Sequence, residues 1–327
     1  MKRRILGKTG LELTELSFGA GAIGNLYAPV TQQAAHDVME VSWASGIRYF
    51  DTAPFYGHGR SERRVGDFLR GRSEYVLSTK VGKLLTPVSN ENIPDYGFVD
   101  PLPFAVHFDY SYDGIMKSFE MSLARLGLNR IDILYVHDLE PSGFSEAEYN
   151  HHLTDFLDGG IRALNELKDR GYIRAFGLGI NQVSACLNVL SRADIDVILL
   201  AGRYTLLDRS AELALLAECR KRNVALVIGG VFNSGILAVG PKEGACFDYQ
   251  PASSDILQKV GSIQETLKVS DVDLAQAALQ FPLQSDLVAT VLIGSAKASS
   301  MLRNVKLLSP SVPSSVFETV EKFTLHQ

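Results

Sequence analysis

The sequence predicts an α/β chain folded as one (β/α)8 barrel, a TIM barrel. Three observations predict it. Short apolar runs rich in β-branched residues alternate with amphipathic stretches along the whole chain. Eight of each can be placed. No Pro/Gly/Ser-rich linker and no internal repeat divides the chain, so residues 1–327 read as a single domain.

The elements follow in order. Arg3 to Leu13, around a Lys8-Thr9-Gly10 turn, reads as a hairpin preceding the barrel. The strand runs are Glu15 to Phe18, Tyr49 to Ala53, Tyr75 to Lys80, Ile131 to His137, Ala175 to Leu178, Val197 to Ala201, Val224 to Ile228 and Val288 to Ile293. They are short, mainly apolar and rich in β-branched residues, as strands covered on both faces should be. The helical stretches are Thr31 to Ala44, Ser61 to Leu69, Tyr112 to Leu126, Leu157 to Arg170, Ser184 to Ser191, Ser210 to Arg222, Leu257 to Lys268 and Ala298 to Val305. Each carries apolar residues at spacings of three and four, and several open on a Ser or Thr that can cap exposed N–H groups. Lys83 to Asp109, holding Pro87, Pro94, Pro101 and Pro103, reads as a long loop; Ser314 to Leu325 reads as a C-terminal helix.

Composition excludes several classes. With 46% hydrophobic, 21% charged and 9% aromatic residues, the chain is neither disordered nor collagen-like. Lys and Arg number 32 against 37 Asp and Glu, a net charge of −5 without a basic stripe, so no nucleic-acid partner is expected. Cys186, Cys219 and Cys246 fit neither a disulfide framework nor a CxxC metal site, which points to a reducing compartment. The seven histidines show no HExxH spacing, and no metal is expected. The basic N-terminus lacks the apolar core of a signal peptide, and no run of about 18 apolar residues exists. The expectation is a cytoplasmic chain with no membrane partner, a monomer or small homo-oligomer.

Gly19-Ala20-Gly21-Ala22-Ile23-Gly24 is a literal GxGxxG after a strand, with Asp51 ending the next strand. That outlines a dinucleotide fingerprint, but the third glycine should open a helix. Here Asn25 to Pro29 intervene before one can start near Thr31. The glycines are read instead as allowing close backbone approach to a ligand.

Four polar residues sit at, or just beyond, the C-terminal ends of consecutive strands, where barrel active sites are built. They are Asp51 and Tyr56 in FDTAPFYG, Lys80 closing VLSTK, and His137 closing ILYVH. A Tyr hydroxyl, with a pKa of about 10, is a poor acid or base near neutrality. A nearby Lys cation lowers that pKa, and an Asp keeps the Lys charged and aimed. A His beside them can hydrogen-bond a substrate oxygen. This is equipment for moving one proton while a hydride moves elsewhere.

On these motifs, with LGKTGLELTELSFGAGAIG, SERRVG, SLARLGLNRIDILYVHD and VLIGSAKASSMLRNV, the chain resembles the aldo-keto reductase superfamily over essentially its whole length. The resemblance implies the same barrel, binding NAD(P) extended across its mouth, with the catalytic tetrad on Asp51, Tyr56, Lys80 and His137. It implies that Tyr56 is the proton donor or acceptor. It places Gly21 and Ala22 under the nicotinamide, Tyr204 stacked on that ring, Asn233, Ser234, Gly235 and Leu237 in the loop over the pyrophosphate, and Gly294, Ser295, Lys297 and Asn304 at the adenosine end. Two departures stand out. The family often holds the carboxamide with Ser-Asn after strand five; here Asn181 is shifted by one residue, and Ala201 replaces the usual glutamine.

The segments from Gly97 to Phe104 and from Phe108 to Gly114 look like the bacterial aldose 1-dehydrogenase branch, which includes L-fucose and D-threo-aldose dehydrogenases and the similar pyridoxal 4-dehydrogenase. The reaction so implied is oxidation of an aldose of the L-fucose, L-galactose or D-threo-aldose type at C1 to its lactone, with Phe98, Phe104 and Phe108 as substrate walls. Pyridoxal oxidation, a general NADPH aldehyde reductase and a non-catalytic nucleotide-sensing subunit are the alternatives. NADP-using relatives carry cations at the places held here by the uncharged Gly294 and Ser300, so NAD is expected in preference to NADP.

Overall fold

In the computed structural model, which describes residues 1–326, eight parallel strands close into a barrel. In chain order they are β1 Leu16–Gly19, β2 Tyr49–Asp51, β3 Val76–Val81, β4 Ile133–His137, β5 Ala175–Ile180, β6 Val197–Ala201, β7 Ala225–Gly229 and β8 Val288–Gly294. Each pairs with the next, and β8 closes on β1 with Val291 opposite Leu16 and Gly294 opposite Gly19. The helices lie outside, as the apolar patterning requires.

Alternation along each strand divides two cores. In β4, Ile133 and Tyr135 point inward, while Leu134 and Val136 face the helices. The inner core adds Tyr49, Ala175, Val197, Leu199, Ala225, Val227 and Leu292, and the N-terminal hairpin plugs its lower end with Leu6, Leu11 and Leu13. That hairpin pairs Arg3–Ile5 with Glu12–Thr14. The two interior tyrosines satisfy their hydroxyls together: Tyr49 meets Tyr135 and Ser78, each at 2.9 Å.

Three segments differ from the sequence reading. The predicted helix from Leu157 begins earlier, at Glu146–Asp155, and runs through a π-type turn at Phe156–Gly160 into Ile161–Asp169. Its true start is a capping box: the Ser145 hydroxyl accepts from the Glu148 N–H, and the Glu148 carboxylate accepts from the Ser145 N–H. The Gly159-Gly160 pair, a breaker by propensity, is required there by packing; a Cβ on Gly160 would lie 2.5 Å from the Tyr110 carbonyl oxygen. Leu274–Gln280, a short helix capped by the Asp273 carboxylate, fell below the length at which periodicity is readable. The 83–109 loop contains an antiparallel pair, Lys83–Pro87 with Phe104–Phe108, and its middle crosses the barrel mouth. The crossing is fixed by Tyr27 N–H donating to the Gly97 carbonyl at 2.9 Å and Val99 N–H to the Asn25 carbonyl at 2.9 Å. Among the described residues, no helix is long and apolar enough to cross a membrane.

Candidate active site

The C-terminal ends of β2, β3 and β4 bring Asp51, Lys80 and His137 together beneath Tyr56. Tyr56 is carried by the β2 loop, and its placement depends on a close backbone approach. A Cβ on Gly24 would lie 2.8 Å from the Tyr56 carbonyl carbon. The GxGxxG motif is thus a packing seam against the tyrosine-bearing loop.

Lys80 Nζ donates to Asp51 Oδ2 at 2.6 Å and to the Thr52 carbonyl at 2.9 Å, and Ser78 Oγ donates to Asp51 Oδ1 at 2.7 Å. Burial opposes the Lys80 charge, but Asp51 and then Tyr56 outweigh it and hold the ammonium above its ordinary pKa. That ammonium lies 4.8 Å from the centre of the Tyr56 ring. Burial pushes the Tyr56 hydroxyl up to about 12; Lys80 pulls it down, as expected, yet burial prevails. His137 stands edge-on to Tyr56, ring centres 5.8 Å apart. Burial drives its pKa well below the ordinary value, so the imidazole is neutral. Its backbone is anchored by the Tyr110 hydroxyl, which donates to the His137 carbonyl at 2.7 Å.

The SERRVG motif explains itself structurally. Ser61 Oγ donates to the Ala20 carbonyl at 2.8 Å, and Arg64 donates to the Ile23 and Val30 carbonyls, tying the β1 loop to the helix Arg60–Leu69. Glu62, fully buried, accepts from Thr79 Oγ1 at 2.7 Å and from Arg125 Nε at 2.5 Å. Glu62→Gln leaves the Arg125 cation without its carboxylate and is expected to cost about 1–3 kcal/mol, measurable as a shift in the urea midpoint at constant slope. A midpoint equal to wild type would show that Arg125 finds water instead.

A cleft of about 340 Å³ opens above these residues, lined by Leu26, Tyr27, Phe55, Tyr56, Lys80, Tyr96, Phe98, His137, Asp138, Gly179, Ile180, Asn181, Leu199, Ala201 and Tyr249. Of the expected walls only Phe98 is there. Phe104 sits in the antiparallel pair outside it, and Phe108 turns away to pack edge-on against Phe144 at 4.9 Å. Phe55, Tyr27, Tyr96, Tyr249 and Asp138 line the cleft instead. Their signal in the sequence was weak, because they come from five loops that periodicity does not bring together.

The expected cofactor residues divide. A Cβ on Gly21 would meet the Tyr56 ring at 3.8 Å, so the Gly21-Ala22 backbone is at the mouth. Asn181 lines the cleft, with its Nδ2 donating to Glu140 Oε1 at 3.1 Å. Gly294, Ser295 and Lys297 lead from β8 into the helix Ala298–Lys306, whose first N–H groups suit an anion. Ser234 Oγ accepts from the Tyr249 N–H at 2.9 Å, and Gly235 is in the left-handed region at φ 100°. Others are placed elsewhere. Tyr204, three residues past the end of β6 and beyond a bend at Gly202, is buried in the layer between barrel and helices with its ring 5.2 Å from Phe281. Asn233 spends its side chain within the fold, accepting from Thr205 Oγ1 at 2.6 Å and donating to the Gly202 carbonyl. Leu237 lies fully in the core, and Asn304 is buried in its helix.

The family model for the aldo/keto reductase family matches residues 15–324. The chain is 43% identical to pyridoxal 4-dehydrogenase of Microbacterium luteolum, over 98% of this chain and 96% of that one. It is 36% identical to D-threo-aldose 1-dehydrogenase of a Pseudomonas species, over 94% and 93%. Among solved structures it resembles an aldo-keto reductase from Bacillus halodurans in its holo form, at 26% identity and a TM-score of 0.79, covering 100% of this chain and 97% of that one. Barrel, mouth and match agree along the chain's length, and this oxidoreductase belongs to the aldo/keto reductase family, whose members use NAD(P)H.

Proposed function

We propose that the chain oxidises an aldose of the L-fucose, L-galactose or D-threo-aldose type at C1 to the lactone, with NAD as hydride acceptor. One observation carries the reading. A buried Asp51–Lys80 pair, Tyr56 and a neutral His137 meet at the floor of a cleft of monosaccharide size. The cyclic hemiacetal places its anomeric hydroxyl between Tyr56 and His137. The hydroxyl proton passes to the Tyr56 phenolate as the C1–H bond breaks and the C1–O bond becomes a carbonyl. His137 hydrogen-bonds the same oxygen, and Lys80 stabilises the phenolate while Asp51 holds Lys80 in place. When bound, the nicotinamide supplies the hydride acceptor. Gly21, Ala22 and Asn181 would hold that end of the cofactor, and Gly294, Ser295 and Lys297 the other. The mouth fits it, since at Gly21 only backbone stands before the Tyr56 ring.

A second reading, pyridoxal oxidation, is favoured by the aromatic walls Tyr27, Phe55, Tyr96, Phe98 and Tyr249, which suit a flat heteroaromatic hemiacetal. Initial rates with L-fucose, L-galactose and pyridoxal, each with NAD and NADP, test both. Turnover of a sugar with kcat/KM for NAD at least about tenfold above NADP is expected, because a 2′-phosphate wants a bidentate guanidinium that Gly294 and Ser300 do not supply. Preference for NADP would sink the cofactor assignment. Turnover of pyridoxal alone would select the second reading, and no turnover of any substrate would favour a nucleotide-sensing subunit.

A further inference from the structure

Reaction chemistry is shared by every aldehyde or hemiacetal, so selection must come from cleft groups outside the four reacting ones. Most of these are apolar or aromatic. Tyr27, Tyr96 and Tyr249 are well exposed and stand at the rim. Asn181 spends its amide on Glu140 and its main-chain carbonyl on Arg203 Nε at 2.9 Å. Asp138 is different. It follows His137 directly, lines the cleft floor, and leaves about a third of its side chain open to it.

The backbone aims this carboxylate. Asp138 sits in the left-handed region at φ 50°, a conformation that Asp and Asn adopt more readily than other side chains. Its N–H donates to the Gly179 carbonyl at 2.9 Å, and its carbonyl accepts from the Glu140 N–H at 2.9 Å. From the other side, Lys83 Nζ donates to Asp138 Oδ2 at 2.5 Å. Lys83 is buried at the root of the antiparallel pair, 4.2 Å from the centre of the Phe55 ring. Burial opposes ionisation of Asp138, yet His137 and then the Lys83 ammonium outweigh it and hold the carboxyl below its ordinary pKa. Oδ2 also lies 3.5 Å from His137 Nε2. A substrate oxygen bonded to His137 therefore brings the oxygen on the adjacent carbon within reach of Asp138.

We propose that Asp138, pinned by Lys83, is the specificity-determining residue: it accepts a hydrogen bond from the hydroxyl on the carbon next to the reacting one, and so selects α-hydroxylated hemiacetals and aldehydes. The proposal rests on the reading that the cleft takes such a molecule. A carboxylate held on one edge by a lysine and open on the other is an acceptor for O–H donors. A substrate lacking the hydroxyl leaves the charge facing an apolar atom, which costs more than the bond is worth in water.

The test is a ratio measured within each protein: kcat/KM for reduction of glyceraldehyde against propanal, with whichever of NADH or NADPH is used. Wild type is expected to prefer glyceraldehyde by about tenfold to hundredfold, the range of a hydrogen bond to a charged group. Asp138→Asn keeps the shape and tolerates the left-handed backbone, and its ratio is expected to collapse toward one. A wild-type ratio near one overturns the proposal without any variant. So does an Asp138→Asn ratio that stays at the wild-type value while absolute rates change, since that would mean Asp138 acts only through His137 or the fold. Failure of the aldose panel, by contrast, would strike the proposed function and leave this ratio readable.

Discussion

Tyr56→Phe is expected to lower kcat on the best substrate by about 10²–10⁴-fold, the usual loss when a positioned proton-transfer group is removed. The ring remains, and with it the packing against Phe98 and His137 that shapes the cleft. Only the hydroxyl goes, so cofactor affinity, read by quenching of protein fluorescence on titration with NADH, should stay within about twofold. The two readouts separate roles. Equal losses in rate and cofactor affinity would make Tyr56 a binding residue, and a wild-type kcat would remove it from proton transfer altogether. His137 is not an adequate substitute. Accepting the proton would make its imidazole a buried cation, which burial and then the neighbouring Lys83 and Lys80 ammonium groups oppose.

Much of this was legible in the sequence, and the physical reason is visible in β4. A strand covered on both faces must be apolar throughout, so a His at its end stands out, and strand ends converge at one mouth. Asp51, Lys80 and His137 stand out for their places at or near strand ends, and the structure brings the three together. What the pattern did not reach lies one step beyond the strands. Tyr204 was placed at the nicotinamide, but it lies three residues past β6, beyond a bend at Gly202 with φ 73°, where strand alternation no longer sets a side chain's direction; its ring faces Phe281. The cleft walls Tyr27, Tyr96 and Tyr249 come from loops whose meeting depends on hydrogen bonds such as Tyr27 to Gly97, which no periodicity encodes. The strap over the mouth was read as a proline-rich loop, and its paired roots were missed because prolines mask strand propensity at Pro87 and Pro103.

Lys80→Met is expected to shift the rising limb of the oxidation pH profile upward and to lower the rate at neutral pH by about 10- to 10³-fold. On the proposed mechanism oxidation needs the Tyr56 phenolate, so the rate climbs with pH until the hydroxyl is ionised. In the protein that hydroxyl sits at about 12, raised by burial and lowered in part by Lys80. Removing the cation removes the lowering contribution and leaves the burial, and the limb must move to higher pH. An opposite charge at this range is worth roughly 1–3 pH units, which sets the expected loss. The substitution has a second consequence that checks the first. Asp51 is almost fully buried and already raised by burial, and without Lys80 its carboxyl rises further. A group whose folded pKa lies above its unfolded value favours folding below the ordinary carboxyl range and weakens it as pH rises toward the folded pKa. The variant should therefore lose more stability than wild type in urea melts as pH rises above the ordinary carboxyl range, because wild-type Asp51, though raised by burial, keeps the Lys80 cation that opposes the rise. A folded Lys80→Met protein with an unshifted pH–rate profile would show that Lys80 merely supports Asp51, and that another group sets the ionisation of Tyr56.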